Sequence, residues 1–317
     1  MFNSMKKGLQ VGIKTTWTLG KIIFPVTLIV ALLQYTPILP WVIDAISPLM
    51  KLLGLSGDAA IPLVLGTFLN LYGAIGAILT LDFTIKEVFI LAVMLSFSHN
   101  LIVESSVALK VGIKLWIVLA TRLGLALTSA IVINLVWHGG NETAQYGLIQ
   151  ATSDDKVSGI GAILLQAIEK AGLGILQLTM IVIPLMIVIQ ILKDLQWLKK
   201  FSRGMSPVTK SLGMNENTST TMAAGLLFGL AYGAGVMIQA VDEDGVGKRD
   251  LTLAFIFLMA CHAVVEDTLI FVPLGIPVWP LFLIRVCVAI ILTLVVGFFW
   301  KRSGILRRKE AKPTYEK

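Results

Sequence analysis

The chain has 317 residues, of which 56% are hydrophobic and only 14% charged. Soluble domains carry about 25% charged residues, so an ordinary soluble globular protein is excluded. The formal charge of +7 asks for no nucleic-acid polymer, because the basic residues gather in short stretches (Lys6, Lys7, Lys14, Lys21; Lys193 to Lys210; Lys301 to Lys312) that suit cytoplasmic loops of a membrane protein.

Apolar segments follow in order at 17–36, 59–81, 88–109 and 113–137, then 173–192, 218–241, 250–271 and 278–300. Runs of about 18 or more apolar residues are long enough to cross the hydrocarbon of a bilayer as helices. The first run follows a basic segment and ends in Tyr35-Thr36-Pro37 with no small-residue cleavage pattern, which reads as a retained anchor. Shorter stretches at 40–53 and 197–212 read as interfacial helices. The two cysteines, Cys261 and Cys287, fall inside apolar segments and form no disulfide or zinc-knuckle pattern.

The second set of segments echoes the first at a slowly drifting offset. Pro25 and Pro184 are 159 residues apart, as are Pro48 and Pro207, and Lys51 and Lys210. Tyr72-Gly73-Ala74 and Tyr232-Gly233-Ala234 are 160 apart; Trp116 and Trp279, and Arg122 and Arg285, are 163 apart. Ordered landmarks of this kind point to duplication. The expected organisation is a first repeat over 1–137, an extracytoplasmic linker over 138–158, a second repeat over 159–300 and a basic cytoplasmic tail over 301–317.

Orientation follows from charge. If every segment spanned, the loop carrying Lys193, Lys199, Lys200, Arg203 and Lys210 would lie outside, against the positive-inside tendency. If 59–81 and 218–241 are re-entrant hairpins, both termini and this loop lie inside, and the linker with Glu142, Asp154 and Asp155 lies outside. Each unit then crosses three times, so the two units are inverted. Gly66, Asn70, Gly73 and Gly76 interrupt the first hairpin segment, and Gly225, Gly229, Gly233 and Gly235 the second. Single glycines in membrane helices are usually close-packing residues; two broken segments at matching positions point to a transport site. The expected fold is all-α and integral to the membrane: two inverted repeats, each with about three spanning helices, an interfacial helix and a re-entrant hairpin.

Ionisable groups inside apolar spans face a cavity or one another. Segment 88–109 carries Ser98-His99-Asn100 and Glu104-Ser105-Ser106; its partner carries Cys261-His262 and Glu266-Asp267-Thr268. His262 and Glu266 are four apart and share a helical face, whereas His99 and Glu104 are five apart. Aligned on the glutamates, Asn100 stands opposite His262, and a bulge or break near the serine pair would account for the difference. Three readings stay open: structural pairing, with Arg122 and Arg285 as counter-ions for Glu104, Glu266 or Asp267; a polar solute site coupled to proton uptake; and a metal path built from His, Cys and carboxylate. No dense ligand cluster is visible, so no metal site is assigned. No phosphate loop, nucleophile elbow or H-E-x-x-H run is present, so neither enzymatic activity nor a cofactor is expected.

The stretches "GLLFGLAYGAG" (225–235) and "ACHAVVEDT" (260–268), with the weaker first copies "GTFLNLYGAIG" and "FSHNLIVESS", resemble the nucleoside-recognition or Gate family. Its domain recurs in concentrative nucleoside transporters, in the membrane part of bacterial ferrous-iron transporters and in spore-maturation membrane proteins. The resemblance implies two inverted units with solute held between hairpin tips and helix breaks. By position it implies a substrate site of Asn70, Tyr72, His99, Asn100, Glu104 and Ser105 facing Tyr232, Gln239, His262, Glu266, Asp267 and Thr268. No nucleoside-binding signature matches residue by residue, and the iron transporters' cysteine-rich motif is absent. The expected function is a transporter or pore for a small polar solute, with nucleosides as the class the family label offers, coupled to an ion. The alternatives are a non-transporting membrane partner of the spore-maturation type and a divalent-metal conduit. Expected partners are the bilayer, a small-molecule or ion substrate, a coupling ion, and a second copy or another membrane protein. The expected location is a bacterial or archaeal cytoplasmic membrane.

Overall fold

The structure is a computed structural model that describes residues 2–33, 38–147, 160–195 and 197–310. Its helices are α1 (Phe2–Leu33), α2 (Ile38–Leu52), α3 (Ala60–Phe68), α4 (Leu71–Ile78), α5 (Ile85–Ser98), α6 (Leu101–Lys110), α7 (Leu115–Val136), α8 (Ile160–Asp194), α9 (Trp197–Ser211), α10 (Ser219–Asp244), α11 (Lys248–Cys261), α12 (Val264–Leu269) and α13 (Val278–Glu310). The expected linker 138–158 and the tail 301–317 lie partly outside the described residues. Among those described, the extended pairing is a single antiparallel bridge between Thr84 and Thr143.

Among the described residues, five stretches are long and apolar enough to cross a membrane: Ile85–Lys110, Leu115–Val136, Leu164–Leu192, Lys248–Leu269 and Val278–Arg302. A sixth arises if Ile43–Leu52 and Gly57–Phe68, bent by 91°, count as one broken span. The expected first span, 17–36, falls largely within α1, and its residues 34–36 lie outside the described residues. That helix starts far earlier than expected, at Phe2, and includes Lys6, Lys7, Lys14 and Lys21. It packs along α8, and Gly8-x3-Gly12 makes the approach close. A Cβ on Gly8 would sit 2.6 Å from Ile187 Cα, and one on Gly12 would sit 3.1 Å from Ile183 Cα. Small residues at this spacing let membrane helices bring their backbones together.

The element order recurs. α2 and α9 begin 159 residues apart, as do the 3₁₀ turns Gly57–Ala59 and Glu216–Thr218; α5 and α11 begin and end 163 apart. Gly54 and Gly213, just after α2 and α9, both adopt left-handed φ of 77° and 81°, which glycine does without steric cost. The fastenings recur too. Ser56 N–H donates to Glu87 Oε1 at 2.8 Å, and Asn215 N–H, 159 residues on, donates to Asp250 Oδ2 at 3.0 Å. Glu87 also closes a capping box with Thr84 at the start of α5, satisfying backbone donors that a helix N-terminus leaves unpaired.

Segments 59–81 and 218–241 break at corresponding positions. In the first, the chain leaves helical geometry between Phe68 and Leu71, giving the packed pair α3 and α4. In the second, α10 is interrupted at Gly229 (φ 75°, ψ 174°), which is 159 residues after Asn70. The core is densest along α5 and α11: Val88 to Phe97 and Leu251 to Cys261 are nearly all buried. These two helices touch each other, α5 also meets α13, and α11 also meets α7. The two sets of elements therefore interlock at the centre rather than sitting side by side.

Candidate functional site

Both central helices stop at a histidine. His99 ends α5 and His262 ends α11, each in extended backbone geometry. The next residue turns left-handed, Asn100 at φ 53° and Ala263 at φ 40°, before α6 and α12 begin. This conformation is uncommon for a residue with a Cβ and costs about 1–2 kcal/mol. The neighbouring broken segments hold it: Asn100 N–H donates to Gly66 O at 2.8 Å, and Ala263 N–H donates to Gly225 O at 3.1 Å. Those glycines also need to be bare, because a Cβ on Gly66 or Gly225 would run into the side chain of Leu95 or Leu258. The break expected near the serine pair therefore lies earlier, at 99–100.

The placement of both histidines is also repeated. His99 Nδ1 lies 2.7 Å from Leu95 O and His262 Nδ1 lies 2.8 Å from Leu258 O. A carbonyl only accepts, so Nδ1 carries the hydrogen and a neutral ring leaves its Nε2 lone pair bare. The rings face each other with centroids 5.2 Å apart. Between them comes Glu104 Oε1, 3.4 Å from His99 Nε2 and 3.2 Å from His262 Nε2. Asp267 Oδ2 stands further off, at 4.0 and 3.8 Å. All four residues are buried.

Each carboxylate has its own guanidinium. Arg122 Nη1 lies 2.7 Å from Glu104 Oε2, and Arg285 Nη2 lies 3.0 Å from Asp267 Oδ2. The Arg122 contact is off the hydrogen-bond direction, so its attraction is Coulombic. Its directed bonds go to the end of α5: Nε donates to Phe97 O at 2.8 Å and Nη2 donates to His99 O. Arg285 Nη2 likewise donates to His262 O at 2.6 Å. The arginines thus neutralise an acid and occupy carbonyls that the broken helices leave without intrahelical partners. Both are fully buried.

The spacing of these groups is the same in both sets of elements. His99 and His262 are 163 apart, and so are Glu104 and Asp267, the same offset as Arg122 and Arg285. Glu104 therefore corresponds to Asp267, and Glu266 is the additional acid, standing where the first set has Val103. Tyr72 OH lies 3.5 Å from Glu266 Oε1, which links the two sets through a second polar contact.

Other expected site residues have local roles. Asn70 Oδ1 accepts from Gly73 N–H and caps α4. Thr268 Oγ1 donates to Val264 O and lies 3.5 Å from Arg285 Nη1. Ser105 is buried, and its Oγ has no hydrogen-bond partner among the described residues. The side chains of Tyr232 and Gln239 lie outside the described residues. Cys261 is buried beside His262 in sequence, but its Sγ does not join the ligand atoms of His99, Glu104 and His262, which lie within 4.8 Å of one another. Gly66, Gly225, Leu95 and Leu258 are not among the expected site residues; the offsets of 159 and 163 pair Gly66 with Gly225 and Leu95 with Leu258.

Fold and site together define a multi-pass helical membrane protein with a buried, charge-bearing centre at two broken helices. The chain belongs to the nucleoside-recognition (Gate) family, whose model matches residues 16–125 and 175–277. It is 66% identical over 295 residues to a protein of Bacillus subtilis (strain 168) described as "Uncharacterized membrane protein YvoD", covering 93% of this chain and 94% of that one. No solved structure matches.

Proposed function

We propose that the protein is an ion-coupled transporter of a small polar solute, with nucleosides as the first class to test, and that it has no enzymatic activity. The observation that carries this reading is the convergence of four chain breaks, at Asn70, His99–Asn100, Gly229 and His262–Ala263, around buried acids and imidazoles. Broken helices at membrane depth are tolerated where protein or a water-filled path satisfies their backbone, and paired breaks mark the binding region of many secondary transporters. The titratable groups at the breaks supply a means of coupling solute movement to an ion gradient.

In this reading the two units are inverted, with the broken segments 59–81 and 218–241 entering and leaving on one side. Both termini face the cytoplasm of a bacterial or archaeal cell. Support comes from α9, whose Lys199, Lys200, Arg203 and Lys210 are exposed, as a cytoplasmic loop would have them.

The test is uptake of radiolabelled nucleosides into proteoliposomes under an imposed proton or sodium gradient, with wild type, E104Q and E266Q. Gradient-dependent uptake weakened in either variant supports the reading, and equal uptake in all three refutes the site. Absence of flux from wild type, together with a stable complex with another membrane protein, would favour the non-transporting partner. Flux of a divalent cation without nucleoside flux would favour the conduit.

A further inference from the structure

The arrangement of donors at the centre leaves one chemical problem unsolved. With each Nδ1–H directed at a backbone carbonyl, two imidazole Nε2 atoms approach one carboxylate oxygen. All three are acceptors when the rings are neutral. Arg122 lies on the other oxygen of Glu104, leaving Oε1 to the histidines. His262 is 1% exposed, and its Nε2 has no directed hydrogen bond among the described residues, although Glu104 Oε1 is only 3.2 Å away. A buried polar atom without a partner is costly, so something positive belongs between these atoms.

We propose that His99 Nε2, His262 Nε2 and Glu104 Oε1 bind one divalent transition-metal ion of the zinc class, with Asp267 facing the remaining coordination position. Spacing supports an ion at this point. Tetrahedral ligands at about 2.0–2.1 Å from zinc are about 3.3 Å from one another, against 3.4 and 3.2 Å here. The three ligand atoms all lie within 4.8 Å of one another. Asp267 Oδ2, at 3.8–4.0 Å and already paired with Arg285, completes the shell through a small inward shift or a bridging water.

The donor set selects the metal. Two imidazole nitrogens and a carboxylate suit zinc and its neighbours, whereas calcium and magnesium require shells of oxygen. Surrounding contacts also suit a metal: Leu95 O and Leu258 O orient the rings, and Arg122 holds the carboxylate, as outer-shell partners do in metal sites.

An ion here would tie α5–α6 of the first repeat to α11 of the second, because its histidines come from different repeats. The site is a resident one and is independent of which solute is carried.

The test uses purified full-length protein with any affinity tag removed. After chelation the protein is reloaded with zinc or cobalt, and the bound metal is quantified by mass spectrometry on folded, size-selected protein. Expected are one ion per chain, a cobalt spectrum of four-coordinate nitrogen–oxygen type, and a rise in thermal stability on zinc addition. H262Q and E104Q should weaken binding at least about 100-fold, since even outer-shell losses cost 10–100-fold. H99C should retain cobalt and add a thiolate charge-transfer band, which reports direct ligation rather than folding. Failure of folded wild type to take up stoichiometric zinc or cobalt would overturn the proposal and assign the centre to protons alone. Wild-type affinity in folded H262Q, or cobalt bound by H99C without a thiolate band, would overturn it as well. Binding is read without any solute flux, so it separates from the fate of the transport reading.

Discussion

Removing the guanidinium of Arg122 should cost more stability than almost any other single change. Arg122 is fully buried and serves three groups at once: the Phe97 and His99 carbonyls at the end of α5, and the carboxylate of Glu104. In R122A the acid remains in the core without its nearest positive charge, a change that typically costs about 3–5 kcal/mol. Each carbonyl left without a donor adds about 1–3 kcal/mol. The terms overlap because Glu104 can relieve its share by binding a proton, so a loss of about 4–6 kcal/mol is expected. That is a large part of the 5–15 kcal/mol typical of a folded domain. R122K should recover part of the loss, since an ammonium restores charge but not the planar fork. E104Q should make the arginine less necessary, so R122A/E104Q should be less destabilised than the separate losses sum to, by about 2 kcal/mol or more. Reversible unfolding in mixed micelles, followed by tryptophan fluorescence and checked by size exclusion, measures all four variants. R122A within about 1 kcal/mol of wild type, or a strictly additive cycle, would refute the reasoning.

Three further outcomes are expected. Ala263 is held at φ 40°, so A263G should raise stability by up to about 1 kcal/mol in the same unfolding assay; a loss would mean that packing of its buried methyl, not backbone strain, decides. G8V should destabilise the α1–α8 pair by about 1–3 kcal/mol through overpacking, because the new Cβ meets backbone at Ile187; faster tryptic cleavage at Lys6, Lys7 or Lys14 is the readout. Burial, aided by Asp82 and Glu87, raises the Tyr146 phenol above its ordinary value of 10 despite the hydrogen bond from Phe83 N–H. Its neutral form therefore contributes stability that is present below pH 10 and is lost as pH rises toward the folded value. Y146F should remove this alkaline component from the pH–stability profile.

Much of the architecture is legible in single stretches of chain. The apolar run lengths, the basic clusters and the paired Pro, Tyr and Arg landmarks identify a helical membrane protein with a recurring order of elements. Each depends on local composition or on spacing along the chain. The offset of 163 that joins Arg122 to Arg285 also joins His99 to His262 and Glu104 to Asp267, so the correct pairing of acids was present in the numbers. Helical periodicity instead favoured Glu266, because it assumes an unbroken helix, and a left-handed residue after each histidine removes that assumption.

What the sequence by itself determined was the inventory at the centre: two histidines, three acids and two arginines placed inside apolar segments where isolated charge is unfavourable. Only the tertiary structure decided their partnership. His99 and His262 lie 163 residues apart, and their rings meet at 5.2 Å because α5 and α11 pack together while the broken segments beside them anchor both breaks. No local propensity encodes a contact at that separation. It follows from close packing of the two sets of helices, and from the need of every buried charge to find its complement.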